Sequence, residues 1–325
     1  MTVHTGIGCS YACSYCYIYD MGFPAEPRPY PLSPLELVYA LSANPYVVPR
    51  RTLAALGSVT EPFLPETRSR ALEYVSSLRK YLKLLTQVST KSVLEEGLAS
   101  GLYSADPSIS VLVTVVTLRN RRLEPRAPDP LERLEAAGRA ARRGLKVSLF
   151  LRPLIPGAAG DAEEVVRAAA DFGVGSVVVG SLRVTESILL RLRASGVDVG
   201  DILRRLKTYP RGSRQVPVPS SDLKDRVSKL ARECGLRVFR AACEANTWSH
   251  GVFCSMCGLG PCNTEFKPLP VSGRDVEDLV EYLGLRALDV SVEDTAIRAR
   301  VGGSRSLDYL KYLLSAATYR KVIVS

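Results

Sequence analysis

Strand-like and helix-like segments alternate through the first two hundred residues of this 325-residue chain, and that alternation restricts the fold more than any other feature. Short apolar runs read as strands at Thr2 to Gly8, Thr52 to Val59, Leu84 to Ser89, Ser110 to Val116, Lys146 to Leu151 and Ser176 to Gly180. Between them lie segments of helical period. Ser33-Pro34-Leu35-Glu36 has the form of a capping box with proline at the first helical position, opening a helix to about Ala43. Glu66 to Lys83 places Leu72, Val75, Leu78 and Leu82 on one face, and helices are also expected over Val93 to Ser100, Pro130 to Arg143, Asp161 to Phe172 and Glu186 to Ala194. Six strands joined through helices must pair in parallel by right-handed crossovers, and six units are too few for a closed eight-stranded barrel. The expectation is an α/β partial (β/α)6 barrel over residues 1–200 whose working loops follow the strands' C-terminal ends.

Cys9, Cys13 and Cys16 fall in the first of those loops as C-x3-C-x2-C. Three thiolates on one short loop are soft ligands suited to an iron-sulfur cluster or zinc, and three ligands on a cubane leave the fourth iron open to chemistry. Buried packing and a disulfide are the bland alternatives. The first cysteine comes eight residues after Met1, which leaves no room for a signal peptide, and no apolar run reaches membrane-spanning length. A cytoplasmic protein is therefore expected, where clustered cysteines read better as metal ligands than as disulfides.

The cysteine spacing, with Tyr15 before the last thiol, resembles the signature of the radical SAM superfamily. The loops after the next strands resemble radical SAM proteins related to spore photoproduct lyase: Ser58-Val59-Thr60-Glu61-Pro62-Phe63-Leu64-Pro65-Glu66, Thr90-Lys91-Ser92, Thr114-Val115-Val116-Thr117, Glu124-Pro125-Arg126-Ala127-Pro128 and Arg152-Pro153-Leu154-Ile155-Pro156-Gly157. The likeness covers about residues 3–182. It implies an oxygen-sensitive enzyme in which Cys9, Cys13 and Cys16 bind a [4Fe-4S] cluster that cleaves S-adenosylmethionine reductively to a 5'-deoxyadenosyl radical. It also implies an electron donor such as ferredoxin or flavodoxin. By the same resemblance Thr60 and Glu61 lie near the cofactor's amino group, Lys91 pairs with its carboxylate, Thr114 reaches the ribose or carboxylate, and Tyr15 and the Ile155 to Gly157 turn flank the adenine. One departure stands out. Where the lyase has a hydrogen-donating cysteine shortly before its Thr-Ser-Asp, this chain has Gly57 and Ser58, which argues against repair of that lesion.

Residues 201–267 form a basic linker, a helix and a second cysteine group. Residues 202–240 hold eleven Lys or Arg against three Asp or Glu, within a chain of net charge +10. Such a surplus suits phosphate backbones, or it is simply a solvated face. Tyr209 to Pro219 is expected as a linker or lid, Asp222 to Cys234 as a helix and Leu236 to Arg240 as a strand. Cys243, Cys254, Cys257 and Cys262 follow as C-x10-C-x2-C-x4-C, able to close a zinc site or hold an auxiliary iron-sulfur cluster, with His250 a substitute ligand for Cys243 and Cys234 a packing residue. Residues 268–325 read as a small α+β appendage with helices Arg274 to Leu283 and Ser306 to Ala317, and its eight basic and eight acidic residues give it no attraction for nucleic acid. The functional expectation is modification or repair of a substrate, with nucleic acid favoured by charge. The alternative is a non-catalytic zinc-binding module that contacts nucleic acid.

Overall fold

The computed structural model describes residues 1–303 and 307–325. Seven strands form a wholly parallel sheet in chain order: β1 (Thr2–Val3), β2 (Leu53–Leu56), β3 (Leu85–Thr90), β4 (Ser110–Thr114), β5 (Lys146–Leu154), β6 (Ser176–Ser181) and β7 (Arg237–Phe239). Register is set by pairs such as Thr2↔Ala55, Ala54↔Thr86, Val88↔Val111, Val113↔Leu149, Phe150↔Val178 and Val238↔Val177. β1 and β7 are the two edges, so the barrel is open.

Side chains alternate across this sheet as the pleat requires. Val111, Val113, Leu149 and Val177 face the outer layer of α1 (Pro34–Ser42), α2 (Arg68–Ser77), α3 (Glu96–Ala105), α4 (Pro130–Arg142) and α5 (Ala159–Asp171), joining one core with Leu37, Val75, Leu102, Leu134 and Val166. Leu112 and Val178 face inward instead, onto Phe239, Ala245 and Trp248. The expected capping box of α1 is present: Ser33 N donates to Glu36 Oε2 at 2.7 Å and Glu36 N to Ser33 Oγ at 3.3 Å. The long helix expected to Lys83 closes instead with a π-helical turn, Leu78–Leu82, and Lys83 takes a left-handed φ of 54°.

Three features differ from the sequence reading. The first strand is broken, since Gly6–Ile7 leaves the sheet to pair antiparallel with Arg28–Pro29. The helix α6 (Glu186–Ala194) does not cover the sheet; with α7 (Val199–Arg205) it packs Ile188, Leu192, Val199 and Ile202 against Tyr11, Cys13 and Tyr15. Finally, the sheet has seven strands rather than six. The helix α8 (Ser221–Glu233) buries Val227, Leu230 and Ala231 in the main core and leads directly into β7. The parallel sheet therefore runs to Phe239, beyond the expected limit at residue 200.

The next helix, α9 (Ala242–Ser249), lies inside the concavity, where Gln87 Nε2 donates to Ala242 O at 2.8 Å and Asn246 Nδ2 to Leu85 O at 3.0 Å. It fills the space beside the strands' N-terminal halves and leaves the C-terminal halves open. The C-terminal unit comprises α10 (Gly273–Tyr282), β8 (Arg286–Val292), β9 (Ala296–Gly302), α11 (Leu307–Thr318) and β10 (Lys321–Val324). Its own core contains Val276, Val280, Ile297, Leu310, Leu314 and Val322. Ser306, where its last helix was expected to begin, lies outside the described residues. Tyr319 donates its hydroxyl to Arg51 O and Tyr312 to Tyr46 O, which docks the unit on the loop before β2. Among the described residues no helix is long and apolar enough to cross a membrane.

Candidate active site

The cysteine loop is shaped by unusual backbone. Gly8 has φ +84°, and a Cβ there would lie 2.5 Å from Glu26 O, so only glycine fits. Ala12, between the first two cysteines, is also left-handed at φ 54°, a conformation that costs an alanine roughly 1–2 kcal/mol. Contacts from distant parts of the chain hold that geometry. Ser14 N donates to Leu123 O (2.9 Å) and Ser14 Oγ to Arg122 O (2.9 Å). Arg191 of α6 donates to Cys16 O at 2.7 Å while pairing with Asp20 at 3.1 Å, and Tyr19 donates to Cys9 O at 2.8 Å.

The loop forms one wall of a cavity of about 630 Å³ at the strands' C-terminal ends, a volume usual for small-molecule sites. All three thiols line it, with Tyr15, Thr60, Glu61, Lys91, Thr114, Arg152 and Arg183. Burial raises the Cys9 pKa and pushes the Cys13 thiol up to about 12, so these sulfurs stay protonated near neutrality unless a metal cation stabilises the thiolate.

Glu61 is a fixed acceptor. Its Oε1 receives the Thr90 hydroxyl, Ser92 Oγ at 3.2 Å and Phe63 N at 3.3 Å, while among the described residues Oε2 receives only Lys91 N at 2.8 Å. Burial raises its pKa even against these bonds. Oε2 retains room for a further donor. The Lys91 ammonium has no hydrogen-bond or ion-pair partner among the described residues, and it stands 5.6 Å from the Tyr15 ring centroid. Burial opposes its charge, but Cys13, Glu124, Cys16 and Glu61 outweigh burial and raise its pKa. The ammonium is thus kept charged and open to an anion.

No family model matches the chain. A cysteine-to-serine variant of spore photoproduct lyase aligns with a TM-score of 0.59 at 16% identity, over 74% of this chain and 76% of that one. Another variant of the lyase, with bound AdoMet and dinucleoside spore photoproduct, gives a TM-score of 0.58 at 14% identity over the same shares. The fold is that of radical SAM proteins of the spore photoproduct lyase type. In sequence, the uncharacterized protein ORF301 of Acidianus two-tailed virus is 30% identical over 195 residues, which is 53% of this chain. The match spans 63% of that viral protein, less than two thirds of its length.

Within this lyase-like fold the sequence-expected residues divide. Tyr15, Thr60, Glu61, Lys91 and Thr114 share the cavity with Cys9, Cys13 and Cys16. Ile155 and Gly157 are not on its wall: Ile155 is buried among Tyr15, Leu182 and Ile188, and Gly157 is exposed at a φ of +85°. A buried network that the sequence did not reveal orients Tyr15. Its hydroxyl donates to Glu124, Glu124 Oε2 accepts from Arg133 Nη2 at 2.6 Å, and Arg133 Nη1 donates to Thr114 O at 2.5 Å. Glu124 and Arg133 have side-chain exposures of 1% and 0%. Arg152, the first residue of the Arg152-to-Gly157 segment, lines the cavity beside Gly180 on the neighbouring strand, where a Cβ would meet Arg152 Cγ and Cδ at 2.6 Å.

Cys243, Cys254, Cys257 and Cys262 stand outside the cavity wall. They form a separate group beside the first turn of α9, where burial raises Cys243 and Cys254 and pushes Cys262 up to about 12. His250 is not with them: its Nε2 lies 3.3 Å from Asp106 Oδ2 and its Nδ1 2.9 Å from Asn246 O. Cys234 packs partly buried against the main core, in the manner of a small apolar residue. Among the described residues no three Cys, His, Asp or Glu side chains converge as they would around one metal ion. The basic block is partly neutralised, with Arg205 on Asp222, Arg226 on Glu163, Arg237 on Glu265 and Arg240 on Glu244.

Proposed function

We propose that the chain is a radical SAM enzyme whose first cysteine loop holds a [4Fe-4S] cluster and whose cavity takes S-adenosylmethionine. The observation that carries this reading is the meeting, in one cavity, of three soft thiols, a half-buried ammonium with no ion-pair partner among the described residues and a carboxylate with room for a further donor. That donor set fits a group with a soft metal face and a zwitterionic tail. Cys9, Cys13 and Cys16 would ligate the cluster, Lys91 would neutralise the cofactor carboxylate, and Glu61 Oε2 would accept from its ammonium. Bound together, cluster and cofactor supply a 5'-deoxyadenosyl radical on one-electron reduction, with a small electron-transfer protein such as ferredoxin or flavodoxin as donor.

The chain's own part is placement. Glu124 and Arg133 hold Tyr15 rigid between two ligand cysteines, Thr90 and Ser92 hold Glu61, and rigid strand ends keep both fixed relative to Lys91. The partly enclosed wall limits the water available to compete with the substrate.

For the substrate, the lining favours an anion, since Lys91, Arg152 and Arg183 face the space and Glu61 is its one lining carboxylate among the described residues. Lys207, Arg211 and Arg214 are exposed on the loop leading to Gln215, which is itself part of the wall. Polyanion binding, and within it nucleic acid, is the reading this charge supports. Apart from the three proposed ligands no cysteine lines the cavity among the described residues, and Gly57 cannot carry a thiol because a Cβ there would lie 2.4 Å from Ser89 O. Repair that needs a cysteine hydrogen donor is accordingly not part of the proposal. The test is anaerobic reconstitution followed by reduction with dithionite: 5'-deoxyadenosine from wild type, and none from Lys91→Met at equal iron content, is the expected pattern. Turnover unchanged in Lys91→Met overturns the assigned role of that residue.

A further inference from the structure

Residues 251–272, between α9 and α10, contain no helix and no strand beyond a single bridge, yet they join two packed units. A stretch of that length without regular structure inside a compact chain needs something to fix it. Hydrophobic burial does not, because its buried apolar side chains are Phe253 and Cys262 alone. What the stretch does have is cysteine. Cys254 and Cys262 face each other across the antiparallel bridge, with Cys262 N donating to Cys254 O at 2.7 Å and Cys254 N to Cys262 O at 3.3 Å. Cys257 is on the loop they close, and Gly258 and Gly260 give that loop its freedom to turn.

The fourth cysteine is brought to this loop by specific bonds. Asn263 Nδ2 donates to Glu244 O (3.3 Å), Thr247 Oγ1 (2.7 Å) and Val252 O (3.1 Å), which sets Cys262 beside the turn of α9 that bears Cys243. Arg240 completes the arrangement: it is ion-paired with Glu244 at 3.0 Å and directs Nη2 to Cys262 Sγ, also at 3.0 Å. An arginine donor on sulfur is the kind of contact that orients and stabilises a thiolate ligand.

We propose that Cys243, Cys254, Cys257 and Cys262 bind metal as thiolates, forming a centre separate from the cysteine loop of the active site. Each thiol releases its proton to solvent on binding, and the exposed Cys243 and Cys257 side chains turn toward the bridged pair. The centre takes the place of the missing core in 251–272. It also acts on the active site, because Ala242, the neighbour of Cys243, is part of the cavity wall, so metal at this centre fixes the end of α9 that closes the cavity floor. Zinc and an iron-sulfur cluster share the thiolate chemistry, and metal analysis separates them.

The experiment uses the full chain with Cys9, Cys13 and Cys16 replaced by alanine, so that its result is independent of the radical SAM reading. After anaerobic purification and exposure to Zn²⁺, or to iron and sulfide, the proposal expects either about one zinc or about four irons per chain. Adding Cys243→Ser and Cys257→Ser should abolish that metal, while Cys234→Ser should leave it unchanged. If the triple variant misfolds, wild type serves: the same two serine substitutions should remove about one zinc or about four irons per chain and leave the remaining metal in place. Absence of metal from a folded triple variant under both conditions overturns the proposal, and so does full metal retention without Cys243 and Cys257.

Discussion

Replacing Arg133 by methionine tests how the cysteine loop is fixed. The substitution keeps the helix and the volume but removes the cation from a pair with almost no exposure, leaving the Glu124 carboxylate buried beside the Tyr15 hydroxyl. Breaking one side of a buried pair costs about 3–5 kcal/mol. The Thr114 carbonyl also loses its 2.5 Å donor, a further penalty of about 1–3 kcal/mol. Against a total stability of about 5–15 kcal/mol, the loss should be obvious in urea unfolding of the metal-free protein. Trp248, the chain's single tryptophan, reports it from inside the sheet, where its ring lies 5.7 Å from that of Phe239. Adding Glu124→Gln removes the stranded charge and keeps an oxygen for Tyr15, so the double variant should recover most of the charge penalty and remain about 1–3 kcal/mol below wild type. A single variant within about 1 kcal/mol of wild type, or a double variant less stable than the single, refutes this account of the network.

Gly57→Ala should destabilise by more than about 1 kcal/mol, since it combines φ +93° with a 2.4 Å approach to the Ser89 carbonyl, and a thermal melt measures it. Gly180→Ala places a Cβ 2.6 Å from Arg152 Cγ and Cδ and 3.0 Å from its Cβ, so it should lower the melt and displace Arg152, weakening single-stranded oligonucleotide binding as Arg152→Ala does. In Arg152→Ala the slope of log affinity against log salt should fall by about 0.7, and an unchanged slope argues against a phosphate contact there. Asp106 is pulled toward a raised pKa by burial, but hydrogen bonds from His250 and Thr86 outweigh this and its pKa is lowered. A depressed folded-state pKa contributes stability above the ordinary carboxylate range that disappears as pH falls through the folded value. Asp106→Asn should therefore lower stability at pH 7 and flatten its decline below about pH 4, as read from urea midpoints across pH.

The strands β4 to β6 were legible because each contains an apolar run (Val111-Leu112-Val113, Leu149-Phe150-Leu151, Val177-Val178-Val179), β3 because Leu85 and Val88 sit among β-favouring threonines between two helical segments, and the α1 capping box was legible in four residues. β7 was harder to see as part of the sheet, because a three-residue strand that begins on Arg237 and is followed by Arg240 resembles a surface segment until α8 is known to bury Val227 and Leu230. α6 shows why amphipathicity identifies a buried face without naming its partner: Ile188 and Leu192 cover the cysteine loop rather than the sheet. At the site, short motifs at strand ends located Glu61 and Lys91, whose places follow directly from β2 and β3. Arg133 gave no such signal. A charged residue on a helix ordinarily reads as solvated, and its burial depends on Glu124 arriving from a separate loop.

Under the proposed function, Cys9, Cys13 and Cys16 hold a cluster that drives S-adenosylmethionine cleavage. Iron, sulfide and 5'-deoxyadenosine measured together under dithionite, on anaerobically reconstituted wild type and on the triple alanine variant, test it most directly. The variant should lose about four irons per chain together with all deoxyadenosine. A folded, reconstituted wild type without deoxyadenosine, or a triple variant that retains both the iron and the cleavage, would contradict it.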